Sequence, residues 1–409
     1  MSATAEIPVP SAPAPAPARA QRGVTLVELM VGMVIGLLAV LVIAQVTTVY
    51  EGRKRTITAG SDAQVNGALA LQVLQRDVQT SGYGLAEGGA VGCRMVGQRA
   101  GMATRFERTL APVVITDGAG GAADSLDVLM SNHADFSLPT RVANNHLREG
   151  SAFVITHHTG LGHHKGDLML AVPLPTPDPT DPSRHCSLFN LSADPVAGSN
   201  QILHDAGVDG PWNQDSTATV FPGRQTTDIA YPAGSLLLNL GSLISRRFCL
   251  TGLGDTRCDE TGAQIPYQLR QLSFDSRTGL TAADDLYPQI VQLQAVYGID
   301  TSATADQVAD VWSAASPTTA RDWQRVVAVR VAVVARSTQN EQRPASRSAS
   351  QTLDGWVTPN LPVWYPDGVT GAPLRVDLAP PGAGDDWRNY RYKVFETVIP
   401  LRNQLWQPM

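Results

Sequence analysis

The sequence has little that points to catalysis or to nucleic acid. Charged residues make up only 17% of the 409 residues and the formal net charge is -6, whereas a protein that binds DNA or RNA needs a basic surface. A GxSxG nucleophile elbow, an HExxH zinc motif and a Walker A loop are all missing from the sequence. We therefore expect no nucleic-acid partner, no cofactor and no enzymatic activity.

Cysteine is scarce too, with four residues and no CxxC pair, so a zinc ribbon or a thioredoxin-like motif is unsupported. An even number of cysteines permits disulfides, which form when the bulk of a protein lies outside the cytoplasm. Cys249 and Cys258 are the best candidates, because "CLTGLGDTRC" closes a short loop that contains glycine. Cys93 and Cys186 remain as a second candidate pair, and the sequence leaves the connectivity open.

Long apolar runs are absent except for one, which extends from Val24 to about Val46. About 20 residues suffice for a helix to cross the hydrocarbon core of a bilayer, so we expect residues 24–46 to span a membrane. Residues 1–21 are rich in Ala and Pro and have no apolar face to bury. Basic residues flank the run on both sides and therefore do not decide its orientation.

The helix is expected to continue beyond the apolar run as an amphipathic half, residues 47–82. Its apolar residues recur at spacings of three and four, which predicts one buried face. The glycines of "SGYG" (residues 81–84) then predict the end of the helix. The predicted buried stripe comprises Ala68, Leu71, Leu74 and Val78, widened by Leu69 and Val73.

The rest of the chain, 83–409, is expected to form a β-rich head domain. "RVVAVRVAVVAR" (325–336) alternates as a strand does, with Val327, Val329, Val331 and Val333 on one face. "QIVQLQAVYGID" (289–300) and "RYKVFETVIPLRN" (391–403) are further strands. Residues 86–230 contain many turn signals and are expected to be a large, loop-rich insertion of unknown role. The fold class is therefore α+β: a long N-terminal helix packed on a C-terminal antiparallel sheet.

Glu28 is an unusual residue to find near the start of a membrane helix. A charged side chain costs about 2.5–3.5 kcal/mol at the centre of such a helix, and less near its end. If the chain were cut between Gly23 and Val24, the new amine would lie one helical turn from Glu28. That amine, from the same chain or from a neighbour, could neutralise the carboxylate.

At these residues the sequence resembles a known signature. "RG" followed by "VTLVELM" is similar to the cleavage and methylation motif of type IV prepilins, with Gly23 before the cut, Val24 first and Glu28 fifth. The resemblance implies a leader, residues 1–23, that a prepilin peptidase removes on the cytoplasmic face, and N-methylation of Val24. The sequence departs from the family in having Val where Phe is usual, and in its longer leader.

Later segments resemble the PilW-type minor pilins: "SDAQVNGALALQVLQRDVQTSGYG", "LQAVYGID", "WQRVVAVRVAVVARS" and "VFETVIPLRN". This resemblance implies a single-pass inner-membrane protein with a cytoplasmic N-terminus, which later enters the pilus. It implies partnership with other minor pilins and the major pilin in a tip complex that primes pilus assembly, with a tip adhesin as a further candidate partner. Twitching motility and cell adhesion are the processes that such a fimbrial subunit serves.

Three alternatives stay open. A J-like minor pseudopilin of a type II secretion system shares the signature and has a large sheet domain. A tip adhesin or DNA-uptake pilin would bind a ligand with its head. An enzyme anchored by a pilin-like helix is more distant.

Other patterns favour structural interpretations. Gly32 and Gly36 form a GxxxG pair that can pack helices closely, although apolar spans often contain such pairs by chance. The tryptophans near the C-terminus favour core packing over a carbohydrate or partner surface. Two groups could hold a metal, although neither has a known spacing and solvated loops fit better: His157, His158, His163 and His164 with Asp167 or His185, and, for calcium, Asp300, Asp306 and Asp310.

Overall fold

The structure is a computed structural model. It describes residues 23–85, 89–132, 139–157, 162–196, 198–205, 210–213, 220–252, 258, 261–262, 266–338, 352–353, 356–357, 363–364, 374–375, 390 and 392–405. The predicted leader falls almost wholly outside these residues. The chain divides into two compact units, residues 1–57 and 58–409.

The first element is one helix, α1, which covers Leu26–Thr80. Gly82 follows it with φ at 74°, a left-handed conformation that glycine adopts without strain. The predicted long helix is thus present, and it ends beside the predicted glycine signal.

Among the described residues, twenty-three strands follow, together with a 3-10 helix, Ala119–Gly121, and two short α-helices, Ala320–Gln324 and Arg402–Leu405. The first strands in chain order are β1 (Arg94–Gly97), β2 (Phe106–Thr109), β3 (Val113–Thr116), β4 (Ser125–Ser131), β5 (Thr140–Arg141), β6 (His146–Leu147), β7 (Ala152–Val154), β8 (Leu168–Val172), β9 (Cys186–Asn190), β10 (Gln201–Leu203), β11 (Ile229–Tyr231) and β12 (Leu236–Gly241). The others are β13 (Leu243–Leu250), β14 (Gln268–Asp275), β15 (Leu280–Pro288), β16 (Ile290–Ile299), β17 (Val311–Ser313), β18 (Val326–Arg336), β19 (Thr352–Leu353), β20 (Trp356–Val357), β21 (Val363–Trp364), β22 (Leu374–Arg375) and β23 (Tyr392–Pro400).

Three sheets hold most of these strands. Sheet A has the order β2-β1-β9-β8-β12-β5, sheet B the order β15-β14-β13-β4-β3, and sheet C the order β17-β16-β18-β23. The pairs are antiparallel except for β1 with β9 in sheet A. This arrangement confirms the expected α+β class.

The C-terminal half of α1 shares one apolar core with sheets B and C. Its buried face consists of Ala63, Gly67, Ala70, Leu74 and Val78. The predicted stripe was wrong in part, because Ala68 and Leu69 are exposed. Small residues form the contact face because they let the helix approach the sheet closely. A search for apolar periodicity gives such residues too little weight.

The closest approach is at Gly67. A Cβ atom at this position would overlap the ring of Phe395 on β23 and would also meet Ala335 on β18. Gly67 therefore lets the helix lie directly against two strands of sheet C.

Polar contacts then fix the end of the helix. The carboxylate of Asp77, 2% exposed, accepts a hydrogen bond from Nη1 of Arg246 on β13 at 2.8 Å. The Nδ2 atom of Asn403 donates to the carbonyl oxygens of Thr80 (3.2 Å) and Ser81 (2.8 Å). Helix carbonyls at a C-terminus lack intrahelical partners, so the C-terminal segment of the chain caps α1.

Sheet C contains the strands that the sequence indicated most clearly. Val329, Val331 and Val333 on β18 all join the core with α1, as the alternation predicts. Val327 does not join that core, because a register shift opposite Gly298 and Ile299 displaces it. A bulge of this kind places two residues opposite one and breaks the alternation.

Residues 86–230 contribute more regular structure than their turn signals indicate. Strands β8 and β9 are buried at every position, because sheet A is covered on both faces. On β8, Leu168 and Leu170 face one core, and Met169 and Ala171 face another. This part of the head therefore has its own two-sided sheet.

The four cysteines form two disulfides. Cys93 pairs with Cys186 across a sequence separation of 93, next to the point where β1 and β9 run in parallel. Cys249 pairs with Cys258 across a separation of 9. Both bonds are buried.

We expect Gly67→Ala to lower the free energy of unfolding by about 1–2 kcal/mol, because the added methyl group would push Phe395 and β23 away from the helix. Gly60→Ala is the matched control, since a Cβ there would meet nothing within 4 Å. That substitution should be neutral or stabilising by up to about 1 kcal/mol, as alanine favours a helix. Urea unfolding of the full chain in detergent measures both; equal effects would contradict the close contact.

We expect the two disulfides to differ in their contribution to stability. In the chain-entropy account, the longer loop contributes about 5 kcal/mol and the shorter about 3 kcal/mol. The double variant C93A/C186A should therefore unfold at lower urea than C249A/C258A. Since all four side chains are buried, the cavity cost is similar in both variants, and a larger loss in C249A/C258A would overturn the expectation.

Candidate assembly helix and its N-terminus

The N-terminal half of α1 is apolar, and its most apolar part is not buried by any of the described residues. Residues Leu26–Lys54 have a mean hydropathy of 2.8, and none of the most apolar window is buried. By length and composition this segment can cross a membrane. In water its exposed Leu, Val, Ile and Met side chains would be unfavourable, so the segment requires lipid or other apolar helices.

The helix begins at a local hydrogen bond. The backbone N–H of Glu28 donates to the hydroxyl oxygen of Thr25 at 3.2 Å, and the N–H of Leu29 donates to the carbonyl oxygen of Thr25 at 3.1 Å. Thr25 is therefore the N-cap, and it occupies the first position of a Thr-x-x-Glu capping sequence. Thr25 was not predicted as a cap from the sequence, although this spacing would have identified it.

Glu28 thus lies in the first turn of α1. The unpaired backbone N–H groups and the helix dipole favour a negative charge at this end. The helix N-terminus therefore partly compensates the carboxylate even before any other group pairs with it.

Gly23 and Val24 precede the cap in an exposed segment outside the helix. A Cβ atom at Gly23 would meet nothing within 4 Å among the described residues. Val24 precedes Glu28 by four residues, which is about one helical turn. A pairing of the Val24 amine with the Glu28 carboxylate requires this short separation. Gly32 and Gly36, the GxxxG pair, are exposed and open in the same way.

The histidine-rich segment does not assemble a metal site in the part of the chain that is described. One oxygen of Asp167 accepts from the N–H of His164 at 2.8 Å and from Nδ2 of Asn239 at 2.9 Å. His185 is engaged elsewhere, with Nε2 at 2.6 Å from the carbonyl oxygen of Val220. No group of three potential ligands occurs among the described residues, and His158 lies outside them.

The acidic loop after β16 likewise uses its carboxylates internally. Asp300 accepts from the backbone N–H groups of Ser302, Asp306 and Gln307. The backbone N–H of Thr301 holds the pKa of Asp310 below its ordinary value, with help from nearby hydroxyls. These bonds stabilise a loop and do not form a calcium site.

The tryptophans whose side chains are described belong mainly to cores, as expected. Trp323 is buried in the core beneath α1. Trp364 is also buried and donates from Nε1 to Glu396 at 2.9 Å. Trp312 is partly buried beside it.

The chain was compared with known protein families, curated proteins and solved structures. A family model described as type IV pilus-assembly protein W, PilW, matches residues 259–403. A model of the prokaryotic N-terminal methylation motif matches residues 18–44. No curated protein and no solved structure matches the chain.

The PilW match covers strands β14 to β23 and ends at Asn403, the residue that caps α1. The methylation motif covers the exposed Gly23 and Val24 and most of the unburied apolar run. An apolar N-terminal helix and a disulfide-bonded β domain fit a membrane-anchored pilin. The chain is therefore similar to the PilW family over residues 259–403 and to prepilins over residues 18–44, and this architecture is consistent with both similarities.

Proposed function

We propose that this chain is a minor pilin that a prepilin peptidase cuts between Gly23 and Val24 and that then helps to initiate type IV pilus assembly. The observation that carries this proposal is the position of Glu28 in the first turn of an apolar helix that the chain itself does not bury. Before assembly the helix spans the inner membrane once, with its N-terminus in the cytoplasm. After assembly the head lies in the periplasm or at the cell surface.

Cleavage creates the partner that the Glu28 carboxylate needs. The new amine at Val24 belongs either to the same chain or to a neighbouring pilin, and pairing lowers the cost of keeping a carboxylate in an apolar bundle. The exposed apolar surface of α1 then packs against the helices of other minor pilins and of the major pilin. The role of the chain is therefore assembly, and the peptidase acts on it as a substrate.

The size of the head favours a place at the tip. Beyond the part that matches PilW, the head adds sheet A with its two apolar cores. A head of this size is hard to repeat along a tightly packed filament, whereas a tip complex of minor pilins needs only one copy. Immunogold label is expected at filament ends, and even labelling along the filaments would refute the tip position.

The N-terminus tests the processing step. Mass spectrometry of the protein from its native membrane should show a chain that begins with N-methylated Val24. The same protein from cells without the peptidase should retain residues 1–23. Retention of the leader in cells with an active peptidase would refute processing and would make α1 a plain anchor.

Glu28→Gln tests the assembly step, because the amide keeps the size of the side chain but cannot pair with an amine as an ion. We expect the variant to be cut and inserted normally but to be lost from sheared pili. Glu51→Gln is the control, since Glu51 is another exposed acidic residue of α1. Quantitative immunoblots of pili and membranes measure both, and wild-type levels of the Glu28 variant in pili would contradict the role.

Deletion of the gene separates the remaining candidates. Loss of pili with intact protein secretion supports the pilus role. Loss of exoprotein release with intact pili would instead indicate a J-like pseudopilin of a type II secretion system. Normal pili that no longer adhere or take up DNA would indicate a ligand-binding tip pilin.

A further inference from the structure

Two histidines meet inside the head, far apart in sequence and away from α1. The Nε2 atoms of His146, on β6, and His204, just after β10, are 2.9 Å apart. His146 is 4% exposed and His204 is fully buried. The histidine cluster consists of these two residues and the four aromatic residues around them: Phe153, Phe189, Phe221 and Tyr231.

The aromatic rings surround the two imidazoles closely. The ring of His146 stacks on Phe153 with centroids 3.8 Å apart and packs edge-on against Phe221 at 5.4 Å. His204 lies 5.1 Å from Phe189 and 5.2 Å from Phe221. Apolar residues of β8, β10 and β12 complete this core.

The hydrogen bonding suits two neutral imidazoles. One ring donates its Nε2–H to the bare Nε2 of the other, so a single proton lies between them. The Nδ1 atoms of both rings are buried, and neither has a hydrogen-bond partner among the residues that the structure describes. In the neutral pair the acceptor ring carries its proton on Nδ1, so a further proton would place a cation and a second unsatisfied N–H inside an apolar core.

Among the described residues, the elements packed around the pair bring no carboxylate to balance such a charge. The titratable residue on β11 is Tyr231, whose hydroxyl is buried. The titratable residue just before β9 is His185. The acidic groups next in sequence bind elsewhere: Asp205 accepts from Ser192, and Asp228 accepts from the N–H groups of Arg224 and Gln225.

The two charged residues that directly follow β6 do not balance the charge either. Glu149 is exposed to solvent. Arg148 donates to the carbonyl oxygens of Phe221 and Arg224 and would add a like charge.

We propose that the histidine cluster is an acid-sensitive latch, which holds β6, β7, β10 and β11 closed while both imidazoles are neutral and releases them when one is protonated. The strands it holds are short: β6 pairs only with β11, and β7 only with β10, among the described strands. Their stability therefore depends on the cluster more than on ladder hydrogen bonds.

The pKa values of the two histidines determine whether acid opens or closes the histidine cluster. Burial lowers the pKa of His146 from 6.5 to about 4, and burial, with the neighbouring His146, lowers that of His204 to about 3. The open form takes up protons below about pH 6.5 while the closed form does not, so acid favours opening. Between pH 7.5 and pH 5 the opening equilibrium should rise roughly 30-fold for each histidine, or several hundredfold for the pair.

The core beneath α1 responds differently to a fall in pH. Burial raises the pKa of Asp124, which bonds to β16 through the N–H of Ala295, to about 8. Its folded pKa lies above its ordinary value, so its contribution to stability grows as the pH falls through that range and is lost above it. Acid at pH 5 should therefore open the histidine cluster while sheet C stays closed.

Hydrogen exchange of the full chain in detergent, followed by mass spectrometry at pH 7.5 and pH 5, tests this latch. After correction for the intrinsic rate, peptides of β6, β7, β10 and β11 should lose protection at pH 5, and peptides of β16 and β18 should not. Unchanged protection in the four strands, or an equal loss in all peptides, would overturn the proposal.

The double variant H146F/H204F removes both titrating groups and keeps aromatic rings in the core. Its protection in the four strands should be the same at both pH values. His157→Phe, at an exposed histidine, should behave as the wild type does. A double variant that still opens in acid would refute the latch; if that variant does not fold, the wild-type comparison with β16 and β18 decides.

Discussion

The contact between Gly67 of α1 and Phe395 of β23 is the constraint from which the architecture of the head follows. It lets a helix lie directly on sheet C, so that Leu74 and Val78 fill the core shared with sheet B. Asp77 then pairs with Arg246 on sheet B, and Asn403 caps the helix end from the chain's last described segment. Short-range apolar contact and directed polar bonds thus fix the same helix half from two sheets. The most apolar part of the other half is not buried by any of the described residues and requires an apolar environment.

The sequence indicated elements whose signal is local. The apolar run, the glycine signal after α1 and the β-branched alternation of β18 each lie within one short window, and periodicity detects them. The buried face of α1 was harder, because Ala63, Gly67 and Ala70 contribute by being small and not by being apolar. Val327 was misplaced because a bulge is set by the partner strand, which one window cannot show.

Sheet A and the histidine cluster could not be predicted from the sequence, for a different reason. Strand β12 joins β8, and β1 joins β9 in parallel, across long stretches of turn-rich chain. His146 and His204 are 58 residues apart and make no recognisable motif. Their meeting depends on how the surrounding strands fold together. At the N-terminus the reverse holds, since Gly23, Val24, Thr25 and Glu28 act within one helical turn and so could be recognised together.

The regions recognised from local sequence and the regions formed by distant contacts are different parts of the protein, and this division suits its proposed role. The segments that match known families are most of α1's N-terminal run and strands β14 to β23, which include the sheet C strands that contact Gly67. A subunit of a shared helical bundle must keep such parts. Sheet A and the strands of the histidine cluster lie outside both matches, and a helix bundle places no demand on them. A head built in this way can vary its outer part without altering how the helix enters an assembly. The acid response and the assembly signature therefore lie in separate regions of one chain, and each can change without the other.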